Sequence, residues 1–128
     1  MTVRIVRLGA ERVPGEGLRI GTVRRPPRGV AKSAYSSKNF YDVWLPTLAP
    51  SSETVKLAQR AKTARQWARF MRKYRTEMAD PDSRATLDLL AALSHRTDFS
   101  VGCYCPQESR CHRSVLRALL TERGAKLI

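Results

Sequence analysis

The sequence predicts a small α/β domain, a mostly parallel sheet flanked by helices. Three observations lead there. Short β-branched runs are bounded by Gly and Pro, longer segments carry apolar residues at helical spacing, and the two kinds of segment alternate along the chain. At 128 residues the chain makes one domain, residues 1–128, large enough for a hydrophobic core without staples. Its 42% hydrophobic content is that of a folded globular protein.

Val3 to Leu8 reads as a first strand closed by Gly9, and Leu18 to Val23 as a second. Arg24-Arg25-Pro26-Pro27-Arg28-Gly29 then halts regular structure, because two prolines fix φ and remove two donors. Phe40 to Pro46 is the aromatic-richest stretch, with Trp44 and Leu45 expected to pack inward and anchor the loop. Asp42, the one acid there, is expected to pair with Arg25 or Arg28, with a general-base role as the sharper alternative.

Ser51 or Ser52 starts a helix to about Arg60. Thr63 with Gln66 forms a capping box for a helix over about Ala64 to Ala79. Its Trp67, Met71, Tyr74 and Met78 make one apolar stripe, while Arg65, Arg69, Arg72, Lys73 and Arg75 occupy the rest. Asp80-Pro81 caps a third helix to about His95, burying Leu87, Leu89, Leu90, Ala91 and Leu93; His95 is placed to complement its dipole. Phe99 to Cys105 is the clearest strand. The last helix is expected from Arg110 to Arg123, capped by Ser109, with Val115, Leu116, Leu119 and Leu120 inward and Gly124 as its stop.

All three cysteines and one of the two histidines fall between Cys103 and Arg113. An odd, clustered count does not make a disulfide framework, so these residues are read as reactive, metal-binding or buried. At a helix start, Cys111 would be favoured as thiolate, and His112 beside it completes a nucleophilic pair. Arg25, Arg28, Arg110 and Arg113 are the candidate anion holders, with Asp42 and Cys103 in support. The metal alternative uses Cys103, Cys105, Cys111 and His112 around zinc. A redox pair of Cys103 and Cys111 is a further reading. A phosphatase loop fails, since from Cys105 the arginine arrives one residue early, at Arg110.

The net charge of +13 points to polyanionic partners. The expected ligand is a phosphate-bearing small molecule or nucleic acid, with no cofactor required and no membrane contact. Two alternatives stand beside it: a non-catalytic basic nucleic-acid-binding protein, and a zinc-stabilised interaction module. The amino terminus lacks a signal-peptide pattern, and no apolar run is long enough to span a bilayer, so the cytoplasm is the expected location.

The chain resembles the family called domain of unknown function 488, the YeaO-like proteins. The resemblance rests on Arg24 to Gly29, on Trp44-Leu45 with Leu48-Ala49-Pro50-Ser51, on Trp67, Phe70, Tyr74 and Arg75, and on Cys103 followed after seven residues by Cys111-His112-Arg113. Two departures show: Cys105 stands where other members often have an acid, and Pro26 where some have tryptophan. The resemblance implies a single α/β domain and adds weight to Arg28, Cys111, His112 and Arg113 as site residues.

Overall fold

A computed structural model describes residues 1–128. Four strands, β1 (Val3–Arg7), β2 (Leu18–Gly21), β3 (Val43–Trp44) and β4 (Phe99–Cys103), form one sheet in the order β1-β4-β2-β3. Every strand pair is parallel, as the α/β reading requires. Four helices follow the expected plan: α1 (Ser52–Arg60), α2 (Ala64–Met78), α3 (Pro81–Leu93) and α4 (His112–Glu122).

Strand alternation decides what each sheet face carries. Val3, Ile20, Phe99 and Val101 share one core with Phe70, Tyr74 and Met78 of α2, Leu87 and Leu90 of α3, and Val115, Leu116, Leu119 and Leu120 of α4. Arg19, Gly21 and Ser100 belong to the opposite face, which is covered by loop segments. There Tyr41 lies so close to Gly21 that a Cβ would sit 2.4 Å from its ring. The β1–β2 connection has no helix. It turns through Gly17 at φ +77°, where a side chain would also strike the Asp98 carbonyl.

That second face holds a buried ion pair. Arg19 is 1% exposed; its Nε and Nη2 donate to both Glu16 carboxylate oxygens at 2.8 and 2.9 Å, and Nη1 donates to the carbonyls of Ala10 and Asn39. Ser100 completes the set with a bond to Glu16. The charge pattern of the sequence gives no hint that this arginine is internal.

The caps at Ser51, Thr63 with Gln66, and Asp80 form as the residue types dictate, and Gly124 ends α4 at φ +76°. Other expectations need correction. Trp44 is 42% exposed on the edge strand, its indole donating to the Val23 carbonyl, while Tyr41 takes the buried place. Leu89 is exposed and Leu93 borders on it, because α3 buries only the stripe of Ser83, Leu87, Leu90 and Ala91. In α2 the deepest aromatic besides Tyr74 is Phe70, one position off the expected stripe. His95 lies beyond α3 and its Nε2 meets the Gly124 carbonyl at 2.7 Å, tying two chain segments together. Asp42 faces Arg12, not Arg25 or Arg28: two Arg12 bonds of 3.0 Å, Ser36 and the Arg19 amide hold it. It is a structural ion pair, away from the site described next.

Candidate functional site

The carboxyl ends of β2 and β4 lie side by side, the usual place for a ligand crevice in an open α/β sheet. Thr22 continues β2 by donating both its amide and its hydroxyl to the Gly102 carbonyl, at 2.9 and 3.0 Å. This aims the Thr22 carbonyl at α4, where it meets His112 Nε2 at 2.8 Å. A carbonyl only accepts, so Nε2 carries a proton and Nδ1 is left facing Cys111 Sγ at 3.7 Å. Tyr74, fixed by its hydroxyl bond to the Leu48 carbonyl, sets its ring edge-on to the imidazole at 5.4 Å.

The start of α4 differs from the sequence reading. A 3₁₀ turn over Glu108–Arg110 precedes it, and Cys111, not Ser109, is the N-cap. Cys111 is extended, at φ −138° and ψ 156°, while His112 is already helical. That change of backbone lets adjacent side chains turn toward the same spot. Cys103, Cys111 and His112 bring their ligand atoms within 4.8 Å of one another, and Cys105 Sγ lies 3.7 Å from Cys103 Sγ.

Charge within the sulfur group is uneven. Thiol donation from Cys103 and then Cys105 holds the Cys111 thiol well below its ordinary range, against the upward push of burial, with further help from His112. Cys103 is driven the other way, by its bonds to Cys105 and Cys111 and by burial.

A cavity of about 400 Å³ opens over these residues. Cys103, Cys105, Cys111 and His112 border one side, and Arg24, Arg25, Arg28 and Arg110 supply charge. Val55 and Ala58 of α1, with Phe70 of α2 and Val23, supply an apolar wall. The sequence-predicted arginines divide into three kinds. Arg25 and Arg28 are exposed at the cavity and form no ion pair. Arg110 borders the cavity but is partly engaged, donating to the Ala61 carbonyl at 2.9 Å and lying 4.9 Å above the Trp67 ring. Arg113 does not line the cavity. It is 3% exposed, its Nη2 bonds the Cys105 carbonyl at 2.6 Å, and its Nε has no partner.

Sequence reasoning missed Thr22, because a backbone carbonyl leaves no trace in residue type. It also missed the α1 wall and Tyr104, whose hydroxyl donates to the Arg25 carbonyl and braces the arginine loop. Arg24 likewise braces, by bonds to the Ala49 and Pro50 carbonyls at the start of α1.

A comparison with protein families matches residues 3–124 to the group described as "Active DUF488-N3 subclade". The chain belongs to the DUF488 family. No curated protein and no solved structure matches it. Within this DUF488 domain the matched span includes both the arginine loop and the Cys103-to-Arg113 segment, so the whole site lies inside the family region. No helix of this DUF488 chain is long and apolar enough to cross a membrane.

Proposed function

We propose that the cavity binds a phosphate-bearing ligand of about nucleotide size, with Cys111 as the group that reacts with it. Arg25 and Arg28 would take the phosphate as charge-assisted donors. Val23, Val55, Ala58 and Phe70 would take the apolar part of the ligand. The volume suits such a ligand, since small-molecule sites begin at roughly 300 Å³. The reading is carried by one observation: two guanidiniums without an acid partner border the same cavity as a buried Cys-His pair.

The role of His112 follows from its tautomer. With Nε2–H committed to Thr22, Nδ1 faces Cys111 Sγ and is placed to accept its proton. The subclade's description as active is in keeping with a reactive group at this position.

Site-resolved alkylation tests the proposal. In chelator-treated protein, Cys111 should react with iodoacetamide at neutral pH much faster than Cys103, and inorganic phosphate or a nucleoside monophosphate should slow that reaction. Equal, sluggish rates at both cysteines, or indifference to every phosphate tested, would remove the reading.

A nucleic-acid partner is favoured by a different region. Arg65, Arg69 and Arg72 are exposed at helical spacing on α2, a surface suited to tracking phosphates. Binding of single-stranded nucleic acid that survives Cys111→Ala and weakens steeply with salt is the outcome expected there; salt-insensitive binding is the outcome against it.

A further inference from the structure

Two buried sulfurs and an imidazole nitrogen, with a third, partly exposed sulfur beside them, need an explanation that a single reactive thiol does not give. A Cys-His pair uses two of them. Cys103 and Cys105 come from the end of β4 and the turn after it, and nothing in thiolate chemistry at Cys111 requires both.

The spacing supplies the explanation. For tetrahedral zinc with Zn–S near 2.3 Å and Zn–N near 2.0–2.1 Å, the S···S edge is about 3.8 Å and the S···N edge about 3.6 Å. Cys111 Sγ to His112 Nδ1 is 3.7 Å, and the ligand atoms of Cys103, Cys111 and His112 all lie within 4.8 Å of one another. Cys105 stands outside that trio, its Sγ 3.7 Å from Cys103 Sγ, and would close onto the ion as the fourth ligand. We propose that Cys103, Cys105, Cys111 and His112 bind one Zn²⁺ ion, through three thiolates and Nδ1.

Two independent features support the assignment. A metal-ligating histidine ordinarily donates its other ring N–H to a carbonyl or carboxylate, which fixes the ring. Here the Thr22 carbonyl takes Nε2–H and leaves Nδ1 on the sulfur side. The second feature is Arg113. It is a nearly fully buried cation with no carboxylate partner and an unpartnered Nε, beside the Cys105 carbonyl. A buried charge needs a counter-charge. Zn²⁺ with three thiolates and a neutral imidazole carries a single net negative charge, which answers one guanidinium.

Adjacent Cys and His side chains ordinarily diverge and seldom reach one ion. The extended N-cap at Cys111 followed by a helical His112 removes that objection. All four donors border the cavity, so the ion has a route in. Binding releases three protons to solvent, those of the Cys103 and Cys105 thiols and the one shared between Cys111 and His112 Nδ1, and involves no redox change. Zinc would also keep Cys111 deprotonated. The metal site goes beyond the phosphate reading, because no arginine is a ligand.

Full-length protein loaded with zinc and dialysed should retain one ion per chain. Its cobalt form should show strong thiolate-to-metal charge transfer and the visible bands of tetrahedral Co²⁺. Cys105→Ser, at the least buried of the ligands, should weaken zinc at least about tenfold. Substoichiometric zinc, a cobalt spectrum without thiolate bands, or unchanged affinity in a folded Cys105→Ser variant would each overturn the site. If that variant fails to fold, the wild-type cobalt spectrum decides. The Arg25→Ala/Arg28→Ala double variant keeps its zinc while losing phosphate protection. Zinc lost with phosphate protection intact therefore sinks this proposal alone, and the converse sinks only the ligand reading.

Discussion

Two arginines are almost wholly buried in this domain, and they live in opposite circumstances. Arg19, on the loop-covered sheet face, has a bidentate carboxylate and two carbonyls. Arg113, behind the cysteines, has one carbonyl and no acid, and its Nε is unpartnered. Burying a charge is costly unless hydrogen bonds and a counter-charge return the loss. At Arg19 the protein itself completes the account. At Arg113 no carboxylate of the chain does so, and the proposed zinc–thiolate centre would supply the counter-charge. A network closed by its own residues serves the fold, whereas one left open is the place to look for a ligand or an ion.

The largest expected effect tests the closed network. Arg19→Met leaves the Glu16 carboxylate buried with only Ser100 and the Val13 amide as donors. Breaking a buried pair at one partner costs about 3–5 kcal/mol. Chemical denaturation should show a loss of that order, or a failure to fold. A loss under about 1 kcal/mol would mean that the pair contributes little and that the contrast with Arg113 is empty.

Next comes the open end. Arg25→Ala/Arg28→Ala removes two exposed side chains outside every ion pair, so stability should change by no more than about 0.5 kcal/mol. Phosphate protection of Cys111 against alkylation should nevertheless weaken at least tenfold, or about 1.4 kcal/mol. A stability loss as large as that at Arg19 would show these arginines to be structural.

Acid should affect the closed face. Burial pushes the Glu16 carboxyl upward, but bonds from Arg19 and Ser100 and the Arg19 charge outweigh it and hold it below its usual range. Glu77 is lowered likewise, by Ser51 and Thr54 against burial. A carboxylate depressed in the folded state binds fewer protons there than when unfolded. Its stabilisation is present above the unfolded value, about 4.3, and is lost as pH falls through the lower folded value. Denaturant midpoints should therefore fall from about pH 5 downward, and Glu77→Gln should flatten part of that slope. An unchanged slope in the variant would deny Glu77 its share.

The parts of the fold legible in the sequence are those that local chemistry decides. Thr63 and Gln66 specify a capping box, and a capping box forms. Val115, Leu116, Leu119 and Leu120 repeat at helical spacing, and all four are buried. Local rules are silent where a distant segment chooses the outcome. Arg19 alternates with apolar neighbours as an exposed strand residue would, and only the Glu16 turn folding back over it makes it internal. Asp42 was expected to find the arginine loop, but Arg12, thirty residues earlier, reaches it first. At the site, the meeting of the cysteines with the arginine loop follows from strand order, which places β2 beside β4. Arg113 was legible as important but not as buried, because a basic residue in the first turn of a helix carries no sign of which way it faces.

The smallest expected effect is the sharpest for the comparison. Arg113→Met replaces a buried cation by an apolar chain of similar length. The variant gives up the bond to the Cys105 carbonyl, worth about 1 kcal/mol. It also relieves the buried unpartnered Nε, and such replacements are often neutral or stabilising. In chelator-treated protein the two terms should cancel to within about 1 kcal/mol, although Arg113 is as deeply buried as Arg19. With zinc present the balance shifts, because the variant has lost the positive charge that answers three thiolates, and its affinity for zinc should fall. Equal destabilisation of Arg19→Met and Arg113→Met in the metal-free state would mean that burial alone sets the cost. In that case the unanswered guanidinium behind the cysteines could no longer be read as a charge held ready for a thiolate centre.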